Sequence, residues 1–267
     1  MKKILIIGKK SLLSSNIERY LSKRYFVKKI SFSKIIKDKN FILNFDFVIN
    51  CTFDLKIKNY KETSDYILAN FLINKKIIYI MISTCKVYGL SKKIFISERI
   101  KCKPNSHYGK LKFTIEKKVI QLLKKNALIL RLSNILQFDL RKNSKLKTFV
   151  NKMLLDLKIK NKIFIPIENF TKDFLPIIFF NDVLDQLIQK NITGIYNIGT
   201  GIGFSIDKFA KLLIKGYGKG EIYKKNDYTD NLILNINKLK KKIIYNISKS
   251  KIKNEIIRLG KTLRLHE

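Results

Sequence analysis

The stretch KILIIGKKSLLSSN, residues 3–16, combines an apolar run, a glycine and an amphipathic segment. The run Lys3–Ile7 predicts a buried strand, Gly8 supplies a tight turn, and Leu12–Lys23 has the apolar spacing of a helix. This order is typical of the first unit of a parallel sheet whose turn and helix N-terminus face an anionic ligand. Ser11 and Ser14 stand where two further glycines are usual, so the segment alone indicates a strand, a turn and a helix.

Apolar strands and helices continue to alternate up to about residue 135. The predicted strands are Tyr25–Phe32, Phe45–Cys51, Ile77–Ser83 and Ala127–Leu132, and the predicted helices are Ser64–Asn74 and Tyr108–Lys125. Near-continuous apolar strands that alternate with helices indicate a parallel sheet covered on both faces. We therefore predict an α/β fold, a Rossmann-type doubly wound parallel sheet with a smaller C-terminal substrate-binding lobe. Residues 1–135 would form mainly the dinucleotide-binding core and 136–267 mainly the lobe, with 174–200 returning to the core.

The second half of the chain is less regular. Leu140–Lys162 is rich in Lys and Asn and predicts a partly helical segment. Phe174–Ile188 predicts a strand that runs into a helix. Ser205–Leu213 predicts a helix capped by Ser205, with Asp207 in its first turn.

The net charge of +36 comes from 56 Lys and Arg against 20 Asp and Glu. A charge of this size suggests a nucleic-acid surface. However, Lys, Ile and Asn recur along the whole chain and Trp is absent, a pattern expected when AT-rich codons accumulate across a genome. We therefore attribute most of the charge to compositional drift and expect no nucleic-acid partner, although the charge favours anionic ligands such as nucleotide diphosphates.

Cysteine, histidine and hydropathy exclude several further classes. Three cysteines give an odd count without paired metal spacing, which fits free thiols in a reducing compartment. With only two histidines, we predict no metal site. The apolar run near the N-terminus is too short for a secretory signal, and no uncharged apolar stretch approaches the length of a membrane span. We expect a cytoplasmic protein.

A second group of residues follows the predicted strand Ile77–Ser83. The segment STCKVYG, residues 83–89, places Thr84 at the end of the strand, and PNSHYGKLKFTIEK, residues 104–117, carries Tyr108 and Lys112. On a helix these two residues lie one turn apart on the same face. An ammonium group there stabilises a phenolate, so we predict that Lys112 lowers the pKa of Tyr108. We interpret Thr84, Tyr108 and Lys112 as catalytic residues that meet at a carbonyl oxygen.

In this context the chain resembles the NAD-dependent epimerase/dehydratase family, the extended short-chain dehydrogenases/reductases that act on nucleotide sugars. Most of the resemblance rests on Tyr108–Lys112 in their context and on Ile195–Gly201. Its landmarks occur in order up to about residue 210: GKKSLLSSN, DFVINC, ISTCKVYG, SERIKCKPNSHYGKLKFTIEK, LILRLSNIL, KDFLPIIFFNDV and GIYNIGTGIGFSIDKFA. The tail segment LNINKLKKKI resembles the family's C-terminal lobe.

The resemblance implies a role for each matching position. Tyr108 would be the general acid/base, and Lys112 would bind the nicotinamide ribose. Thr84 would bond the reacting oxygen of the sugar, and Asn134 would face the substrate. The chain would form a homodimer. The residues implied to bind the cofactor are Gly8, Ser11, Leu12, Ser31, Cys51, Thr52, Tyr108, Lys112 and Leu132.

Two departures from the family pattern bear on the cofactor. Side chains at positions 11 and 14 would stand against the pyrophosphate turn. The family often places an Asp that holds the adenosine ribose at the end of the second strand, whereas this chain has KKISFSK, residues 28–34. Ser31, Ser33 and Lys34 would suit a 2′-phosphate, which favours NADP over NAD.

The two residues that follow Thr84 help to distinguish between the possible reactions. Dehydratases of the family typically carry an acidic pair there, whereas this chain has Cys85 and Lys86, which disfavours 4,6-dehydration. We predict an enzyme, an NAD(P)-dependent reductase of a nucleotide-linked 4-keto (deoxy) sugar in surface-polysaccharide biosynthesis. One alternative is a nucleotide-sugar C4 epimerase with tightly bound NAD, and another is a non-catalytic or RNA-binding relative of the fold.

Overall fold

A computed structural model describes residues 1–54, 56–90, 94–137, 148–226 and 231–265. Within these ranges the strands are β1 (Lys3–Ile7), β2 (Phe26–Ile30), β3 (Phe47–Asn50), β4 (Ile78–Thr84), β5 (Phe95–Ile96), β6 (Ala127–Leu132), β7 (Asn134–Leu136), β8 (Lys162–Pro166), β9 (Thr171–Pro176), β10 (Gly194–Ile198), β11 (Gly203–Ser205), β12 (Glu221–Lys225) and β13 (Ile233–Leu234). The α-helices are α1 (Leu12–Leu21), α2 (Phe32–Lys37), α3 (Ser64–Phe71), α4 (His107–Leu123), α5 (Phe149–Lys160), α6 (Ile177–Gln189), α7 (Ile206–Tyr217), α8 (Asn237–Lys240) and α9 (Lys249–Arg264).

Six strands form the central sheet in the order β10-β6-β4-β3-β1-β2, and every neighbouring pair is parallel. The strand order reverses at β1, which lies between β2 and β3. In open parallel sheets a crevice forms at such a reversal, outside the carboxyl ends of the strands. The predicted doubly wound parallel sheet is confirmed.

Side chains of the central strands alternate between two buried layers. Leu5 and Ile7 of β1 pack into a cluster with α3 and α4, whereas Ile4 and Ile6 pack into a cluster with α1 and α6. Since successive side chains of a strand point to opposite faces, a strand buried on both sides must be apolar throughout. This is why β1 has no polar residue after Lys3.

A third apolar cluster surrounds α5, α7 and α9. Helices α7 and α9 cross at two glycines. A Cβ atom on Gly216 would lie 2.1 Å from the carbonyl oxygen of Ile257, and one on Gly260 would lie 2.3 Å from that of Leu213. The two backbones are therefore in direct contact, which only glycine permits at these positions.

Several predicted boundaries differ from the structure. The second strand ends at Ile30, because Ser31 accepts a hydrogen bond from the Lys34 N–H and caps α2. Residues 140–147 of the segment Leu140–Lys162 lie outside the described ranges, and α5 covers most of the remainder. Ser205 caps α7 with Asp207 in the first turn, as predicted. No helix in the described ranges is long and apolar enough to cross a membrane.

Candidate active site

The turn after β1 lies at the reversal of strand order. Gly8 has φ +129°, and its N–H donates to the Ile30 carbonyl at 2.9 Å. The Cys51 N–H, just after β3, donates to the Ile7 carbonyl at 2.8 Å. A Cβ atom on Gly8 would lie 3.2 Å from the Cys51 carbonyl carbon, at a φ that side chains rarely adopt. Gly8 is therefore fixed as glycine by both conformation and space.

Ser11 and Ser14 fill the places of the two missing glycines in different ways. Ser11 is the N-cap of α1 and accepts from the Ser14 N–H at 3.4 Å. The Ser14 side chain is fully buried, and its hydroxyl donates to the Gly8 carbonyl at 2.6 Å and approaches the Ser11 carbonyl at 2.7 Å. The Ser14 hydroxyl is therefore bonded to the backbone of the turn itself. How this side chain affects a bound pyrophosphate stays a prediction.

The ends of β4 and α4 bring together Thr84 and Tyr108. Ser106 caps α4, and α4 packs directly on the single turn that follows β4. A Cβ atom on Gly109 would lie 2.5 Å from the Lys86 carbonyl oxygen, so glycine sets this close approach. As a result Tyr108 and Thr84 come to line the same cleft.

Lys112 lies one turn along α4 and is only 3% exposed. Its Nζ donates to Asp65 Oδ2 at 3.1 Å and to the Ile82 carbonyl at 2.9 Å. Nζ also lies 4.3 Å from the centre of the Phe53 ring, and that ring meets the Tyr108 ring edge to face at 5.1 Å. Lys112 is thus held on the inner side of Tyr108.

Asp65 is the centre of a buried polar network that the sequence did not reveal. Its Oδ1 accepts from Tyr79 OH at 2.7 Å and from Asn50 Nδ2 at 2.8 Å. Asn50 Oδ1 in turn accepts from the Thr52 hydroxyl at 2.6 Å. An acidic residue in the first turn of α3 is typical of dipole stabilisation, so the sequence carries no signal that singles out Asp65.

The predicted lowering of the Tyr108 pKa is wrong. Burial raises the pKa of Tyr108 above its ordinary value, and this outweighs the opposing effect of Lys112. The charge on Asp65 raises the Tyr108 pKa further. Burial likewise raises the pKa of the Cys51 thiol to about 12, with Asp65 contributing in the same direction. Both groups are therefore protonated at neutral pH.

A cleft of about 530 Å³ opens in front of Thr84 and Tyr108. Leu132 and Asn134, the other two residues predicted to face the ligands, also line it. Asn134 Nδ2 donates to the Asp173 carbonyl at 2.9 Å. Further lining residues, which the sequence did not single out, include Leu13, Gln137, Thr148, Phe149, Val150 and Lys172.

A second buried network lies on the far side of the end of β4. Arg131 of β6 bonds Glu116 of α4 through Nη2 at 2.7 Å and through Nε. Ser83 also donates to Glu116. Arg131 Nη1 donates to Tyr88 OH at 3.1 Å, and that hydroxyl donates to Asn197 of β10 at 2.6 Å. This chain of bonds ties α4, the turn after β4, and β10 together.

The remaining predicted cofactor residues follow the same sheet edge. Ser31 is half-buried directly after β2, with its hydroxyl 3.1 Å from that of Ser33. Leu12 is the half-buried first residue of α1. Thr52 follows Cys51 and is bonded through Asn50 to the Asp65 network.

The fold is that of solved nucleotide-sugar epimerases, dehydratases and reductases. A UDP-N-acetylglucosamine 4-epimerase from Methanobrevibacter ruminantium matches with a TM-score of 0.83 at 16% identity, over 100% of this chain and 99% of that chain. An NAD-dependent NDP-hexosamine 5,6-dehydratase involved in tunicamycin biosynthesis matches with 0.80 at 16%, over 100% and 99%. A dTDP-4-dehydrorhamnose reductase from Clostridium acetobutylicum matches with 0.76 at 18%, over 95% and 98%.

The resemblance predicted from the sequence is therefore confirmed at the level of the fold. Among further structures of this fold, one contains NAD and another contains NADPH. No protein-family model matches the chain. At these identities the similarity establishes the architecture and leaves the reaction open.

Proposed function

We propose that this chain is an NAD(P)-dependent enzyme that reduces a nucleotide-linked 4-keto sugar. The observation that carries the proposal is that Thr84 and Tyr108 line the same cleft, with Lys112 held behind Tyr108. Two hydroxyl groups that converge at the end of a strand can bond one carbonyl oxygen. Tyr108, which keeps its proton at neutral pH, can then donate that proton.

The residues at the sheet edge fit a dinucleotide. The Gly8 turn leaves no side chain between β1 and Cys51, and Ser14 is turned inward. The N-terminus of α1, a helix of ten residues, can therefore meet a pyrophosphate. An ammonium group has three N–H donors, and Asp65 and the Ile82 carbonyl accept from Lys112, so a third donor can serve a ribose hydroxyl. A bound nicotinamide supplies the hydride.

The cleft also fits an anionic substrate. Lys86 and the buried Lys172 line it, and positive charge in a partly enclosed cleft attracts a nucleotide diphosphate. Phe149 adds an aromatic face to the same wall. Cys85 and Lys86, in the place of an acidic pair, offer no carboxylate for elimination of water. We therefore favour reduction over dehydration.

The test is consumption of NADPH with a panel of UDP- and dTDP-linked 4-keto-6-deoxy sugars. We expect one equivalent of NADPH oxidised for each sugar reduced. Tyr108→Phe should fold normally and lose turnover on the order of a hundredfold or more, because the proton donor is gone. Tyr223→Phe, the same change on the exposed face of β12, is the matched control.

Other outcomes identify the alternatives. Interconversion of C4 epimers without net oxidation of cofactor would identify an epimerase and reject the proposed reaction. Salt-sensitive retention on RNA, with no effect of nicotinamide cofactors on thermal stability, would reject an enzymatic function altogether.

A further inference from the structure

The buried ion pair between Lys112 and Asp65 couples the candidate acid to a carboxylate that comes from another helix. Both side chains are almost fully enclosed, with exposures of 4% and 1%. Asp65 is fixed from its other oxygen by Tyr79 OH and Asn50 Nδ2. Lys112 is fixed by the Ile82 carbonyl of β4. Neither charge can move without breaking several bonds.

Three elements place charged or ionisable groups near Tyr108. Lys112 lies on its own helix, and Asp65 on α3. Cys85 directly follows β4 and is buried. A carboxylate and an ammonium group in contact act at a distance as a dipole, so Asp65 offsets part of the effect that Lys112 has on the neighbouring phenol.

We propose that Asp65 is a positioning residue whose carboxylate anchors Lys112 and offsets part of its effect on Tyr108, so that Tyr108 meets the substrate as a proton donor. The proposal rests on the proposed function for the identity of the proton acceptor, a sugar carbonyl. A lysine one turn along the helix without a carboxylate partner would instead favour the phenolate, which is a base. Asp65 thereby sets the direction of proton transfer.

This arrangement favours reduction over epimerisation. In reduction the carbonyl carbon gains a hydride, the π electron pair moves to oxygen, and that oxygen takes the proton of Tyr108. The ketone is reduced and the nicotinamide is oxidised, and the tyrosinate regains its proton from water. An epimerase must begin in the opposite sense, with removal of a hydroxyl proton by a tyrosinate, which Lys112 stabilises less while Asp65 offsets its charge.

The decisive measurement is the titration of Tyr108 in the full chain, by NMR of protein labelled at the tyrosine ζ-carbon with carbon-13. Loss of the signal in Tyr108→Phe assigns it. We expect Asp65→Asn to lower the Tyr108 pKa by about one pH unit or more, because Asp65 then no longer offsets the effect of Lys112. Asp185→Asn, another buried carboxylate in an ion pair but one that contacts Arg24, should leave the titration unchanged. An unchanged Tyr108 titration in Asp65→Asn would overturn the proposal.

A second variant covers the case in which Asp65→Asn does not fold because Lys112 is left unpaired. The double substitution Asp65→Asn with Lys112→Met removes both charges together. If Asp65 offsets Lys112, the Tyr108 pKa in this variant lies about half a pH unit or more below that of Lys112→Met alone, in which Asp65 still raises it. Equal Tyr108 pKa values in the two variants would equally overturn the proposal.

Turnover supplies an independent readout. In keto-sugar reduction the alkaline limb of the kcat profile marks loss of the proton from the general acid, so a lower Tyr108 pKa moves this limb to lower pH in Asp65→Asn. The NMR titration needs neither cofactor nor sugar. If no sugar is reduced but the titration shifts as expected, the proposed function fails and the role of Asp65 stands.

Discussion

Helix α4 carries two buried ion pairs one turn apart, Lys112 with Asp65 and Glu116 with Arg131. Their exposures are the same, 4% and 1% in each case. The first pair lies behind Tyr108, and its partners come from α3 and the end of β4. The second lies under the turn after β4, and its bonds continue to β10. Equal burial therefore does not imply an equal role, because what each pair touches decides whether it acts on chemistry or on architecture.

The strongest test of this difference is Glu116→Gln. We expect a loss of about 3–5 kcal/mol in the free energy of unfolding, because Arg131 is left charged and buried without its partner. Ser83 can still donate to the remaining amide oxygen, so the loss comes from the missing charge. Chemical denaturation measures the loss. The Tyr108 titration should stay at its wild-type position, and a shift as large as that of Asp65→Asn would erase the distinction between the two pairs.

For Thr84→Val we expect a large loss of turnover and a small loss in the free energy of unfolding. Valine has a similar shape but cannot bond a substrate oxygen, so turnover should fall on the order of a hundredfold, about 2.7 kcal/mol. The free energy of unfolding should fall by only about 1 kcal/mol, since the Thr84 hydroxyl also accepts from the Lys86 N–H. Steady-state kinetics beside denaturant unfolding separates the two effects. Turnover that remains at the wild-type level would remove Thr84 from the site.

Tyr88→Phe removes one hydrogen-bonding group next to the Glu116–Arg131 pair. The phenol hydroxyl joins Arg131 to Asn197, and its loss leaves two buried polar groups each short of one partner. We expect a destabilisation of about 2 kcal/mol with little change in KM or kcat. Thermal unfolding checks the first part. A large loss of turnover at unchanged stability would place Tyr88 in the chemistry instead.

The smallest effect concerns a position outside both pairs. Ser31→Asp retains a good helix cap for α2 but adds a negative charge where a 2′-phosphate would bind. We expect the ratio of NADPH to NADH affinity to fall on the order of tenfold, measured by calorimetry. Ser31→Asn, which caps equally well without charge, is the control. An unchanged ratio would show that Ser31 does not meet the adenosine ribose.

The two pairs also show which features of the site can be predicted from the sequence and which depend on tertiary packing. Unbroken apolar runs such as Lys3–Ile7 predict the buried strands, and the spacing of Tyr108 and Lys112 predicts their shared helix face. Asp65 lies 47 residues before Lys112, and only the packing of α3 against α4 brings them together. The pKa prediction failed for the same reason, since it counted the lysine but neither its partner nor its burial.

The glycine crossing of α7 and α9 has a consequence for synthesis of the protein. The central sheet has its last strand once Ile198 has been made, whereas Ile252 and Ile256 of α9 are needed to complete the cluster around α7. During translation we therefore expect the sheet to fold first, while the apolar face of α7 stays exposed to solvent until α9 has been synthesised. Chaperone binding and aggregation of the nascent chain should concentrate in that interval, before Gly260 reaches its place on Gly216.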